Sequence, residues 1–185
     1  MITKATSTIE DLINLLTRTE EKAEIISGEV VKMPPTGFLP GRASGRIYRS
    51  LDDYEKQTGN GYAIPDNVGF IVNLPHRNSF SPDAAFYIGP PTGAKFIDGA
   101  PAFAAEVRSE WDYGKRAEFK LREKIADYFA AGTIVVWDVD ILKEQIVRVY
   151  RSHDPDHPTF YHRGDAAEAE PAVPGWKMPV DDLFS

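Results

Sequence analysis

Ser81-Pro82-Asp83-Ala84-Ala85-Phe86 and Ala104-Ala105-Glu106-Val107-Arg108-Ser109, which place an aspartate and a glutamate 23 positions apart, decide how this chain is read. Each stretch sets one carboxylate inside an apolar, strand-like run, where an unpaired charge is costly to bury. Two violations of the same kind argue for a shared purpose. Carboxylates on neighbouring strands that converge on one point form a site for a hard, oxygen-seeking cation such as Mg²⁺.

Outward from these runs, the chain alternates helical and strand-like patterns. Ser7 and Thr8 ahead of Ile9-Glu10-Asp11-Leu12 predict a capped first helix. Residues 23–26 and 29–33 flank Ser27-Gly28, a two-residue hairpin signal. After Pro34-Pro35-Thr36-Gly37, residues 41–56 carry Ile47, Tyr48, Leu51 and Tyr54 at helical spacing. Short strands are expected at 61–64, 69–73, 84–88 and 102–108. The longest helix is predicted over 113–131, with Leu121, Ile125, Tyr128 and Phe129 as its apolar stripe and Gly132 as its stop. Thr133-Ile134-Val135-Val136-Trp137-Asp138-Val139 suits a strand buried on both faces, with 145–150 as its antiparallel neighbour. Residues 151–185, rich in Pro, Asp, Glu and Gly, are expected to be irregular chain packed on a single domain spanning 1–185.

Bulk properties restrict the classes available. The 185 residues can bury a core without disulfides, and 42% hydrophobic with 26% charged residues is ordinary for a globular domain. No apolar run reaches the roughly 20 residues of a membrane helix. Met1 to Ser7 lack the apolar segment of a secretory signal, so a cytoplasmic protein is expected. The absence of cysteine excludes thiolate metal sites and cysteine nucleophiles. A net charge of −7 is unfavourable to nucleic-acid binding. From Arg108 to Lys124, however, six basic residues face four acidic ones, which leaves room for a local basic surface.

Lys124 lies three positions after Leu121 and four before Tyr128, beside the apolar stripe and facing the sheet. From there it could reach both carboxylates. The chemistry suggested is metal-assisted hydrolysis, with Asp83, Glu106 and the Val107 carbonyl on one or two Mg²⁺ (or Mn²⁺) ions and Lys124 orienting water or stabilising charge. The residue types alone equally admit a structural reading, in which Asp83 caps a turn, Glu106 pairs with Arg108 or another basic group and Lys124 reaches solvent. A glycosidase built on the two acids would leave Lys124 without a role. Trp111 could stack on a base, although core packing or loop anchoring is the commoner use. The His153-Asp154-Pro155-Asp156-His157 run reads as a solvated turn, lacking tight zinc-ligand spacing.

Pro82-Asp83, Glu106-Val107-x-Ser109, Lys124-x-x-x-Tyr128 and Ala130-Ala131-Gly132-x-x-x-Val136-Trp137-x-Val139-Asp140 together resemble the Uma-two family of bacterial restriction-endonuclease-like proteins, within the PD-(D/E)-x-K nuclease superfamily. The resemblance runs from about Glu24 to Trp176. It implies an α/β (α+β) fold, a restriction-endonuclease-like mixed β-sheet flanked by helices, and divalent-metal-dependent cleavage of DNA. Asp83 and Glu106 match the two metal ligands, and Lys124 takes the lysine role from the helix, with Tyr128 beside it. Glu29 matches an acidic position after the hairpin turn that assists metal binding, while Ser109 holds the strand end or a metal-bound water, or equally serves as a plain turn hydroxyl. Arg108 departs from the standard motif, which has lysine there, and arginine is no simple replacement. Leu39-Pro40 stands where relatives often have histidine. Arg42, Arg46, Lys115 and Lys120 are candidates for DNA phosphate contacts. Symmetric cutting of a duplex suggests a homodimer. The competing expectation is a catalytically silent nucleic-acid-binding or protein-interaction module on the same fold.

Overall fold

A computed structural model describes residues 8–184. Three α-helices are present among them, α1 (Ile9–Thr17), α2 (Phe38–Thr58) and α3 (Lys115–Ala130), with a short 3-10 helix at Val180–Leu183. The strands are β1 (Ala23–Ile26), β2 (Glu29–Lys32), β3 (Tyr62–Ile64), β4 (Phe70–Ile71), β5 (Ser79–Phe80), β6 (Ala84–Tyr87), β7 (Ile97–Asp98), β8 (Phe103–Val107), β9 (Val135–Asp140), β10 (Ile146–Arg151), β11 (Asp154–Tyr161), β12 (Ala166–Glu168) and β13 (Lys177–Pro179). Thr8 caps α1 as its sequence suggests: its hydroxyl accepts from the Asp11 amide, and the Asp11 carboxylate accepts from the Thr8 amide. Ser7, the other expected capping residue, lies outside the described residues. Ser27 and Gly28 both adopt positive φ, 52° and 77°, which is the backbone a two-residue hairpin between β1 and β2 requires.

The central sheet has six strands in the order β11-β10-β9-β8-β6-β3. Neighbours are antiparallel except β8 and β9, which run parallel. A parallel pair needs a crossover connection, and α3 supplies it. Alternation along the strands then gives the sheet two different faces. One carries Ala84, Phe86, Phe103, Val135 and Trp137 against Ala43, Ile47 and Leu51 of α2. The other carries Ala85, Tyr87, Ala104 and Val136 beneath Ile125 and Tyr128 of α3, flanked by Phe70 and Phe80 from the small β5-β4-β7 sheet.

The C-terminal segment departs from expectation. Residues 154–161, with their prolines and acids, form an eight-residue edge strand on β10 rather than a solvated turn. Proline is tolerated there because an edge strand has one row of amides outside the ladder. Beyond it, β12 and β13 pair, and Trp176 stacks on Trp137 at 4.9 Å between ring centroids. The segment completes the core over the α2 face; its polar composition reflects the outward positions of short strands. β5 and β7, two residues each, were too short to leave a period in the sequence.

Candidate active site

The register of β6 on β8 brings the two carboxylates together. Ala85 pairs with Ala104 and Ala84 with Ala105, so one further step places Asp83 opposite Glu106. Both point to the α3 face, since each lies two positions from an alanine that packs there. Asp83 is fixed at three points. Its amide donates to the Ala105 carbonyl at 3.0 Å, its Oδ2 accepts from the Val107 amide at 2.8 Å, and its carbonyl accepts from the Ser44 hydroxyl of α2 at 2.6 Å. Its Oδ1 accepts from Lys22 Nζ at 2.7 Å, and Lys22 also reaches Asp66 at 2.6 Å.

Glu106 meets α3 with both oxygens. Lys124 Nζ donates to Oε2 at 2.8 Å and the Tyr128 hydroxyl donates to Oε1 at 2.6 Å. One helical turn separates the two donors, which is why a single strand residue can take both. Lys124 does not reach solvent, its side chain being 15% exposed. It lies 3.0 Å from a second carboxylate, that of Glu24 on β1, which accepts from the Ser81 amide at 2.9 Å and from Arg77 at 2.5 Å. Arg77 continues to Asp127 of α3 at 2.7 Å, whose other oxygen lies 2.6 Å from His76.

Burial alone would depress the Lys124 amine, but Glu106 and Glu24 more than offset it and hold its pKa above the usual lysine value. Lys124 is therefore a charged donor. Glu106 behaves oppositely: burial pushes its pKa up, Lys124 opposes this, and the nearby Asp83 and Glu24 push it further up. Burial also raises Glu24, yet Lys124 and Arg77 bring it below the ordinary glutamate value. Burial raises the Tyr128 hydroxyl well above a normal phenol, with Glu106 adding to it, so it stays a proton donor. Desolvation opposes the charge on Lys22, but Asp83 and Glu106 raise its pKa overall.

Glu29 departs from its sequence expectation. Glu29 is exposed on β2, opposite Ile26, and nothing ties it to Asp83, Glu106 or Lys124 among the described residues. Glu24 is the hairpin acid brought to the site. Its signal was in the sequence, since Ala23-Glu24-Ile25-Ile26 is another carboxylate in an apolar run. Ser109 bonds Asp112 through its amide at 2.7 Å and its hydroxyl at 2.6 Å, closing a turn after β8. Trp111 in that turn is neither core nor anchor; it is 83% exposed.

Arg108, in the place of the motif lysine, is committed elsewhere. It forks onto Asp138 of β9 at 2.6 and 2.7 Å and bonds Glu118 of α3. Its partners outweigh the burial that would lower its pKa and hold it fully charged. Of the phosphate-contact candidates, Arg42, Lys115 and Lys120 are exposed and Arg46 half-buried. Arg46 lines a cavity of about 400 Å³ between α2 and the Trp176 segment. Lys22, Asp66 and Arg77, charged residues in or beside loops, carried no motif signal, and neither did Asp127 on α3.

Among the described residues no group of three or more His, Asp or Glu side chains is arranged to hold a metal ion. The suggested set is smaller, two carboxylates and a carbonyl, and its charge suits a cation. Among the described residues Asp83, Glu106, Glu24, Asp66 and Asp127 share three lysine or arginine partners, Lys22, Lys124 and Arg77, with His76 beside Asp127. A hard divalent ion fits an all-oxygen set with surplus negative charge. No helix among the described residues is long and apolar enough to cross a membrane.

Residues 9–181 match the model of the Uma2 family, described as "Putative restriction endonuclease". A crystal structure of "a putative nuclease belonging to DUF820" from Anabaena variabilis superposes with a TM-score of 0.72 at 18% identity, over 94% of this chain and 97% of that one. At that identity the likeness establishes a shared fold. No curated protein matches the sequence.

Proposed function

The chain belongs to the Uma2 family, and from that membership and the site's geometry we propose that it is a divalent-metal-dependent endonuclease hydrolysing phosphodiester bonds of DNA. The observation that carries this reading is the convergence of Asp83, Glu106 and Lys124 across three elements, with the lysine amine 2.8 Å from Glu106. Asp83, Glu106 and the Val107 carbonyl would hold Mg²⁺ or Mn²⁺. The bound cation supplies a water of lowered pKa and positive charge for the phosphate. Lys124, kept protonated by two glutamates, acts as an electrostatic donor to the phosphate or the attacking water and not as a base. Tyr128 and Glu24 position that lysine and Glu106. Exposed Lys115, Lys120 and Arg42, with Arg46, are the proposed contacts to the DNA backbone. A homodimer follows from the two-fold symmetry of a duplex substrate, and a cytoplasmic place from where that substrate lies.

Incubating supercoiled plasmid with Mg²⁺ or Mn²⁺ tests this. Nicked or linear product is expected from the wild type and none with EDTA, Asp83→Asn or Lys124→Met, each variant checked for folding by circular dichroism. Cleavage that persists in either variant overturns the assignment. If the folded wild type cuts no nucleic acid, the silent binding module on the same fold takes its place.

A further inference from the structure

Lys22 has no part in the site suggested by sequence, yet it makes the closest contact to the oxygen of Asp83 that matters most. The Val107 amide takes Oδ2. That leaves Oδ1, and Lys22 Nζ stands 2.7 Å from it with only 18% of the lysine side chain exposed. A divalent cation binds a carboxylate oxygen at about 2.1–2.6 Å. An ammonium and such an ion on one oxygen would lie roughly 4 Å apart, within the range of strong repulsion in a poorly hydrated site. The two cations therefore compete for Oδ1.

The structure also supplies the lysine with a second place. Asp66 Oδ1 is 2.6 Å from the same amine and is itself held by the Asn67 amide at 2.6 Å, in a turn where Asn67 has a φ of 64°. Asp66 thus keeps its position without Lys22, and lies toward solvent, 38% exposed. Resting on the reading of Asp83 as a metal ligand, we infer that Lys22 is a built-in competitor that divalent metal displaces from Asp83 onto Asp66, so that the Lys22–Asp66 pair sets the metal affinity of the site.

The inference is tested by Mn²⁺ binding to the full chain, followed as loss of the free-ion electron paramagnetic resonance signal. Lys22→Met should bind Mn²⁺ about tenfold more tightly than the wild type, with Lys22→Gln as the companion that keeps a donor without the charge. Asp66→Asn should weaken binding several-fold while Lys22 is present, because the displaced amine then loses its second carboxylate, and leave binding unchanged in the Lys22→Met background, where there is no amine to displace. Equal or weaker binding by both Lys22 variants overturns the inference, as does an Asp66→Asn effect of the same size in both backgrounds, which would make Asp66 a direct ligand or a mere nearby charge. Asp83→Asn separates this from the parent reading. Binding lost in that variant but indifferent to Lys22 removes the competitor alone, whereas no Mn²⁺ binding by any form, or binding untouched in Asp83→Asn, removes the metal assignment and the competitor with it.

Discussion

Arg108 shows how one side chain can occupy a motif position and leave the motif's chemistry. It sits two residues after Glu106, so alternation turns it to the same α3 face, where Asp138 lies with no exposed surface. A buried carboxylate needs compensation, and Asp138 receives it from the Arg108 fork and from Arg148 at 3.1 Å. A lysine cannot form that fork, which is a physical reason for arginine here. Arg108→Ala should therefore destabilise the fold by about 3–5 kcal/mol, by leaving a buried charge half-paired. Arg108→Lys should cost less and, on the proposed nuclease function, leave cleavage of DNA unchanged while folded. Urea denaturation measures the first; a folded Arg108→Lys that no longer cuts would put Arg108 in the reaction after all. The departure at Arg108 was legible in the sequence, but its cause was not, because Asp138 lies 30 positions away in the chain and joins it only through parallel pairing of β8 with β9.

At the scale of elements, legibility followed length and period. The long helix and the buried strand after it are within two residues of their expected bounds because each has a sustained apolar repeat. What a period cannot convey is which charges an element delivers elsewhere: Glu24 and Glu29 lie in one hairpin, both in apolar company, yet only docking of β1 on β5 decides that Glu24 is interior. The approach to α3 is settled in the same non-local way. Asp140, at the end of β9, accepts from the Tyr113 hydroxyl at 2.6 Å and the Lys143 amide at 2.9 Å, and so pins the loop that starts the helix carrying Lys124. Burial raises the Asp140 pKa, but the Tyr113 hydrogen bond and the Lys143 amide outweigh it and bring it below the ordinary aspartate value. A carboxylate lowered on folding stabilises above its unfolded pKa and loses that contribution as pH falls through its folded one. Asp140→Asn should accordingly lower the melting temperature at pH 7, with the penalty shrinking below about pH 4. An equal penalty at pH 3 and pH 7 would mean that the ionised form does not hold the loop.

Across the whole molecule, one sheet does two jobs on its two faces. The α3 face carries Asp83, Glu106, Arg108, Asp138 and Arg148 nearly in a row across four strands, a costly set of charges that needs a rigid support. The opposite face provides it with an apolar core, and the segment after β10 closes that core. Trp176 stacks on Trp137, lies 5.5 Å from the Phe103 ring and donates its indole N–H to Ser50 of α2 at 3.0 Å. Trp137 in turn donates to the Glu168 carbonyl at 2.9 Å. The described C-terminal residues thus pack behind β8 and β9, on the face opposite the one where Glu106 meets Lys124. Trp176→Ala should cost about 3–5 kcal/mol through the cavity and the lost ring stacking. Because that damage falls on the far face, the fraction that remains folded at low temperature should, with the proposed metal site, keep its Mn²⁺ affinity unchanged. Denaturant titration beside Mn²⁺ binding resolves the two quantities, and a variant that keeps its stability, or one that stays folded yet loses the ion, would break the division of labour between the faces.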